Sequence, residues 1–244
     1  MIFARHLILI AAALAAPAAD FHFDIPPVRA SFEIADQPVP VVISGRLDAH
    51  GESAIAVRLD ADLAGLQEKI LPILRAQLAQ DNRCGDRIAI EQAALAPEAP
   101  AAMLTAVVHF EKYACAKAFG KEIVKRLVGG NATVRVRLTP AIEPPAAVRL
   151  NAEVLPLEAE GQLGEMLRSG QYGAALSERI RKSLQSDLEK STAFHAALPP
   201  SLASAATLRA AAFREAAGHL MLAVSGELRA TPDQINVVFK EPRP

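Results

Sequence analysis

The sequence predicts an α+β domain in which curved antiparallel β-sheet packs on two main amphipathic helices. Three observations lead there. Apolar and polar residues alternate over several short stretches, the period changes twice to three and four residues, and glycines and prolines mark the changes.

Before the first strand, Arg5 and His6 precede an apolar run from Leu7 to Ala16, and the small-residue pattern Ala16-Pro17-Ala18 follows. That order predicts a secretory leader, Met1 to Ala18, cleaved near Ala18. A bilayer-spanning helix needs about 20 apolar residues, so no transmembrane anchor is expected. Residues 19–244 then form one α+β domain. Alanine and arginine are abundant, which suits a bacterial, GC-rich coding sequence. The expected location is periplasmic or secreted.

Charge narrows the partners. The chain carries 26 Lys and Arg against 27 Asp and Glu, a net of −1 that becomes one unit more negative without Arg5. This balance argues against nucleic acid. Hydrophobic residues make up 51% of the chain and Trp is absent, so the core is expected to be aliphatic.

In chain order, Val28 to Ala35 alternates as a half-buried strand. Val41 to Leu47 and Ala54 to Asp60 flank Asp48-Ala49-His50-Gly51, a hairpin pattern. Leu63, Leu66, Ile70, Leu74 and Leu78 then recur at helical spacing, with Asp62 as candidate N-cap and Pro72 as a candidate kink.

Cys84 and Cys115 enclose two strand-like runs, Arg87 to Ala96 and Met103 to Tyr113, with a proline-bearing loop expected from Pro97 to Ala102. Folding this segment back on itself brings the cysteines together, and export favours a disulfide. Closing that loop should add roughly 3 to 4 kcal/mol. Matching the apolar faces wants Ile88 near Phe110, one step off the cysteine register. One bulge, or a cysteine just outside the ladder, reconciles the two.

A second hairpin is expected from Glu122 to Val128 and Thr133 to Leu138, turning at Gly129-Gly130-Asn131. Val148 to Val154 is a strand that Pro156 should end. Gln162 to Arg168 is a short helix stopped at Ser169-Gly170, and a longer one runs from about Tyr172 to Lys190 with Leu176, Ile180, Leu184 and Leu188 on one stripe. Its outer face pairs Glu178 with Lys182. Thr207 to Arg214 and Leu220 to Leu228 form a hairpin around Ala216-Ala217-Gly218, and Ile235 to Phe239 is a last strand. Strand, helix and hairpin thus occur twice, so two similar halves, about 28–115 and 119–240, are possible.

This element order resembles the tubular lipid-binding (TULIP-like) superfamily, in which a long helix lies along the concave side of a strongly curved antiparallel sheet and lipid fills the space between. The resemblance covers about residues 28–239 and rests on the two helix stripes and the meandering strands. It implies a lipid or other apolar small molecule as ligand. On the residues themselves, helical spacing puts Leu66, Ile70 and Leu74 with Leu176, Ile180 and Leu184 where they can face the sheet and line a groove.

Catalytic signatures are missing from the sequence. His22, His50, His109, His195 and His219 are dispersed without metal-ligand spacing, and Gly129-Gly130 lacks the Lys and Ser or Thr of a phosphate loop. No metal and no cofactor is called for. Glu111, Glu143, Glu158 and Glu160 leave a two-carboxylate hydrolase as a third reading, behind an apolar-ligand binding protein and a cell-envelope interaction or scaffolding protein. A continuous channel beside the helices favours the first reading; a closed core with an exposed apolar patch favours the second.

Overall fold

The computed structural model describes residues 21–34, 36–49, 55–81, 84–118, 121–144, 147–159, 161–168, 170–171, 173–175, 178, 181–182, 186 and 206–229. The expected leader, the strand expected at Ile235 to Phe239, the turn expected around His50, and His195 lie outside the described residues.

Antiparallel β-structure dominates, more than the two-helix expectation allowed. The strands are β1 (Phe21–Ile34), β2 (Gln37–Ala49), β3 (Ile55–Asp62), β4 (Gln80–Asp81), β5 (Gly85–Glu98), β6 (Ala101–Ala118), β7 (Lys121–Glu143), β8 (Ala147–Val154), β9 (Glu158–Ala159), β10 (Ala206–Ala216) and β11 (His219–Leu228). The helices with defined bounds are α1 (Ala64–Leu78) and the short α2 (Gly161–Arg168). Gln171, Gly173 to Ala175, Glu178, Arg181, Lys182 and Ser186 are also helical. One sheet runs β1-β2-β3-β11-β10 and the other β4-β5-β6-β7-β8, with β9 beside β7.

Local rules account for much of this. The last hairpin turns at Ala217 and Gly218, whose φ of 52° and 81° suit the twist of a two-residue connection. The helix at 64–78 is as expected, although Leu63 is its N-cap and Asp62 stands one place earlier, accepting the Ala64 N–H at 2.9 Å. Pro72 lies inside α1 at an exposed position, and the helix continues through it.

Two hairpins depart from expectation. The loop drawn from Pro97 to Ala102 contracts to Ala99-Pro100, with Pro97 opposite Ala102 in the ladder. Among the described residues only β6 flanks β5 at that level, so Pro97 can turn its missing donor away from the pairing. The larger correction is β7, which runs straight through Gly129-Gly130-Asn131 instead of turning there. Strand β6 extends to Ala118 and supplies a partner along the whole run, from Ala118 opposite Lys121 to Ala102 opposite Leu138. Helix α2 lies against this stretch: a Cβ on Gly130 would stand in ordinary van der Waals contact with the Leu163 side chain, at 3.4 Å.

One core joins the sheets. Leu66, Ile70, Ile73 and Leu74 of α1 pack with Val39 and Val41 of β2, Ile90 and Leu95 of β5, Leu104 and Ala106 of β6, Val134 and Val136 of β7, Phe213 of β10 and Leu220 of β11. Polar groups stitch the same layer. Gln67 donates from Nε2 to the Leu95 carbonyl and accepts the Leu220 N–H at Oε1, both at 2.9 Å, so one amide spans both sheets. Arg75 donates to the carbonyls of Ile90 (2.8 Å) and Glu91 (3.1 Å), where β5 slips register between Ile90 and Gln92. The Phe213 N–H reaches the Pro100 carbonyl at 2.9 Å.

Ile70 is 8% exposed at the centre of this layer. Ile70→Asp should lower unfolding free energy by about 4 kcal/mol, since the carboxylate would lose water without gaining a partner. Urea denaturation checks this; a wild-type midpoint in the variant would mean that the site is open to solvent.

Candidate functional site

The expected groove residues divide. Leu66, Ile70 and Leu74 are brought together on α1 and are 6–8% exposed, enclosed by the strands just described. Leu176, Ile180 and Leu184 lie outside the described residues.

A different feature stands out at the far end of β6 and β7. Strand β5 begins at Gly85, opposite Tyr113, and the strands on the other side of β7 pair with it only from Ala132 onward. From Ala114 to Ala118 and from Lys121 to Val128, β6 and β7 therefore pair only with each other among the described residues. This two-stranded ribbon runs about 17 Å beyond the end of β5. Ile123 (53%), Val124 (36%) and Leu127 (54%) are exposed on it, and they are the exposed large hydrophobic residues of the described chain. Lys117, Lys125 and Arg126 are exposed beside them.

The root of the ribbon is clamped. Cys84, immediately before β5, is disulfide-bonded to Cys115, with a Cα–Cα distance of 5.6 Å. Both proposed reconciliations of register occur: Ile88 faces Phe110, β5 is bulged between Ile90 and Gln92, and Cys84 sits just outside the ladder. Lys112 bonds Asp86 at 3.0 Å across the same strands, and the Arg87 guanidinium lies 5.0 Å from the centre of the Tyr113 ring.

Glu111, the buried charged residue of the described core, organises the remaining groups. Its carboxylate accepts from the Tyr113 hydroxyl at 2.9 Å and from Arg126 at 2.8 Å, with His109 Nε2 at 3.6 Å and Arg87 at 3.7 Å. The Tyr113 hydrogen bond, helped by Arg126 and opposed by burial, holds its pKa below the ordinary 4.5. The same bond pushes the Tyr113 pKa up. Gly129 leaves room for this cluster: a Cβ there would meet Arg126 at 3.3 Å and Glu111 at 3.4 Å. His109 also bonds Asn131 at 2.6 Å, and Asn131 donates to Glu91 at 3.2 Å, which ties three strands together.

Other singled-out residues stay apart. His22 pairs with Asp48, His219 with Asp62 at 3.0 Å, and Glu158 with Arg135. Glu143 is exposed and Glu160 lies outside the described residues. Glu178 is held by Arg181 at 2.7 Å, its pKa lowered to about 2 chiefly by that hydrogen bond, and meets Lys182 at 3.5 Å as the spacing predicted. Among the described residues there is no group of three or more His, Cys, Asp or Glu placed to hold a metal ion, and no helix long and apolar enough to cross a membrane. Comparison with protein-family models, curated proteins and solved structures finds no match to this chain.

The turn expected at Gly129-Gly130-Asn131 would have folded Glu122 to Val128 back on Thr133 to Leu138, which hid their pairing with the end of β6. The available signal was the pair Lys117 and Lys121 flanking Gly120, with β-branched residues after it.

Because the folded pKa of Glu111 is depressed, its contribution is present above the ordinary carboxylate range and is lost as pH falls from 4.5 through the lower folded value. Wild-type melting temperature should drop over that interval more steeply than that of Glu111→Gln. Parallel profiles in thermal melts would sink the assignment. Replacing Cys84 and Cys115 together with Ala should cost about 3 kcal/mol in urea denaturation. No change in midpoint would show that the clamp does not constrain the chain.

Proposed function

We propose that this chain is an exported cell-envelope interaction protein that docks through the β6–β7 ribbon. The observation that carries the reading is the exposure of Ile123, Val124 and Leu127 on a ribbon beyond a body whose helix α1 has its apolar stripe enclosed. Ile123 and Val124 are consecutive in β7 and so expose aliphatic surface on both faces of the ribbon, and large exposed apolar side chains gathered on one short element mark an interaction site. The disulfide suits an oxidising compartment outside the cytoplasm.

Packing of Leu66, Ile70 and Leu74 supports docking over an apolar ligand held beside α1. A carboxylate whose pKa is pulled down by Tyr113 and Arg126 is a weak proton acceptor, so Glu111 reads as the clamp of the ribbon and not as a general base.

The test uses envelope membranes isolated with their proteins. Purified wild-type protein should co-sediment with them, and Ile123→Asp/Leu127→Asp should bind about tenfold or more weakly while melting at the same temperature. Equal sedimentation of the two proteins would refute docking through the ribbon.

A further inference from the structure

Resting on that reading, we infer that the ribbon's partner is an anionic lipid surface, met at the headgroup level by its lysines and aliphatic side chains together. Residues 112–128 hold five basic residues, Lys112, Lys117, Lys121, Lys125 and Arg126, against one acid, Glu122, in a chain whose overall net charge is −1. Positive charge is thus concentrated in the same segment that bears the exposed Ile123, Val124 and Leu127. Lys112 and Arg126 are already engaged by Asp86 and Glu111 at the root. The exposed Lys117 and Lys125 lie further out: Lys125 shares a face of β7 with Ile123, and Lys117 stands opposite Glu122, one residue from Ile123.

Interleaved cations and aliphatic residues match an anionic bilayer interface, where phosphates take the ammonium groups and the acyl boundary takes the apolar ones. One feature sets this surface apart from a peptide-binding edge. Lysines along both strands of the ribbon oppose the addition of a partner strand, which disfavours a docked peptide. The disulfide and the Glu111 cluster hold the ribbon in shape before contact, which reduces the ordering lost on binding.

The chain contains no Trp, so Leu127→Trp installs a single reporter at an exposed position. With protein-free vesicles of phosphatidylglycerol and phosphatidylcholine, its emission should shift to the blue; with pure phosphatidylcholine it should not. Adding Lys117→Gln/Lys125→Gln should weaken vesicle binding roughly thirtyfold, and raising salt should weaken binding of the parent. Wild-type co-sedimentation with the same vesicles guards against an effect of the tryptophan itself, and circular dichroism confirms that each variant is folded. Absence of binding to anionic vesicles, or binding indifferent to the lysines, overturns the lipid assignment. If the protein then still binds native envelope membranes through Ile123 and Leu127, the docking reading stands and the partner is a protein; if it binds neither, both readings fall.

Discussion

The amide of Gln67 holds a position on which both sheets depend. Its two ends satisfy the Leu95 carbonyl and the Leu220 N–H, groups that face the same helix from different sheets. An unpaired backbone group buried there would cost about 1 to 3 kcal/mol, so the helix has to supply polar partners as well as apolar contacts. Arg75 does the same further along α1, at the irregular carbonyls of β5. Between these two polar anchors, Ile70, Ile73 and Leu74 meet residues of both sheets. The long strands can therefore share one core despite belonging to separate hydrogen-bonded ladders.

That shared core leaves β6 and β7 free to outrun it. Their pairing is continuous from Ala102 opposite Leu138 to Ala118 opposite Lys121, apart from the slip between Lys112 and Tyr113. An isolated two-stranded ribbon is marginal in water. Here its root is covalently tied by Cys84 and Cys115 and electrostatically tied by Glu111, Tyr113 and Arg126. The same bulge that places Leu127 out of register lies next to this cluster, so the position of the exposed side chains depends on the clamp. A buried carboxylate is acceptable at this point because its oxygens are engaged by a hydroxyl and a guanidinium.

Short-range chemistry was legible where it had no competitor. The last hairpin could be drawn from alternation around Ala217-Gly218, and α1 from the spacing of Leu66, Ile70 and Leu74, because each signal lies within one element. The cysteine pairing was legible for a related reason: two cysteines allow a single intramolecular bond, and the intervening strands bring the chain back. Gly129-Gly130 misled because a glycine permits a turn and a close approach equally well. What decides between them is the partner strand, and β6 is long enough to pair with β7 on both sides of the glycines.

By itself, then, the sequence determined the alternation of strands, the helix at 64–78, the disulfide partners and the aliphatic character of the core, all properties of neighbouring residues or of composition. Tertiary structure decided which strands share a sheet, that the final hairpin joins β3 and not its sequence neighbours, and that β7 passes through two glycines without turning. It also decided that Leu66, Ile70 and Leu74 are enclosed while Ile123, Val124 and Leu127 are not. Both sets are aliphatic. Only the presence or absence of a packing partner across the chain distinguishes core from surface, and that partner is set by long-range pairing that no local pattern records.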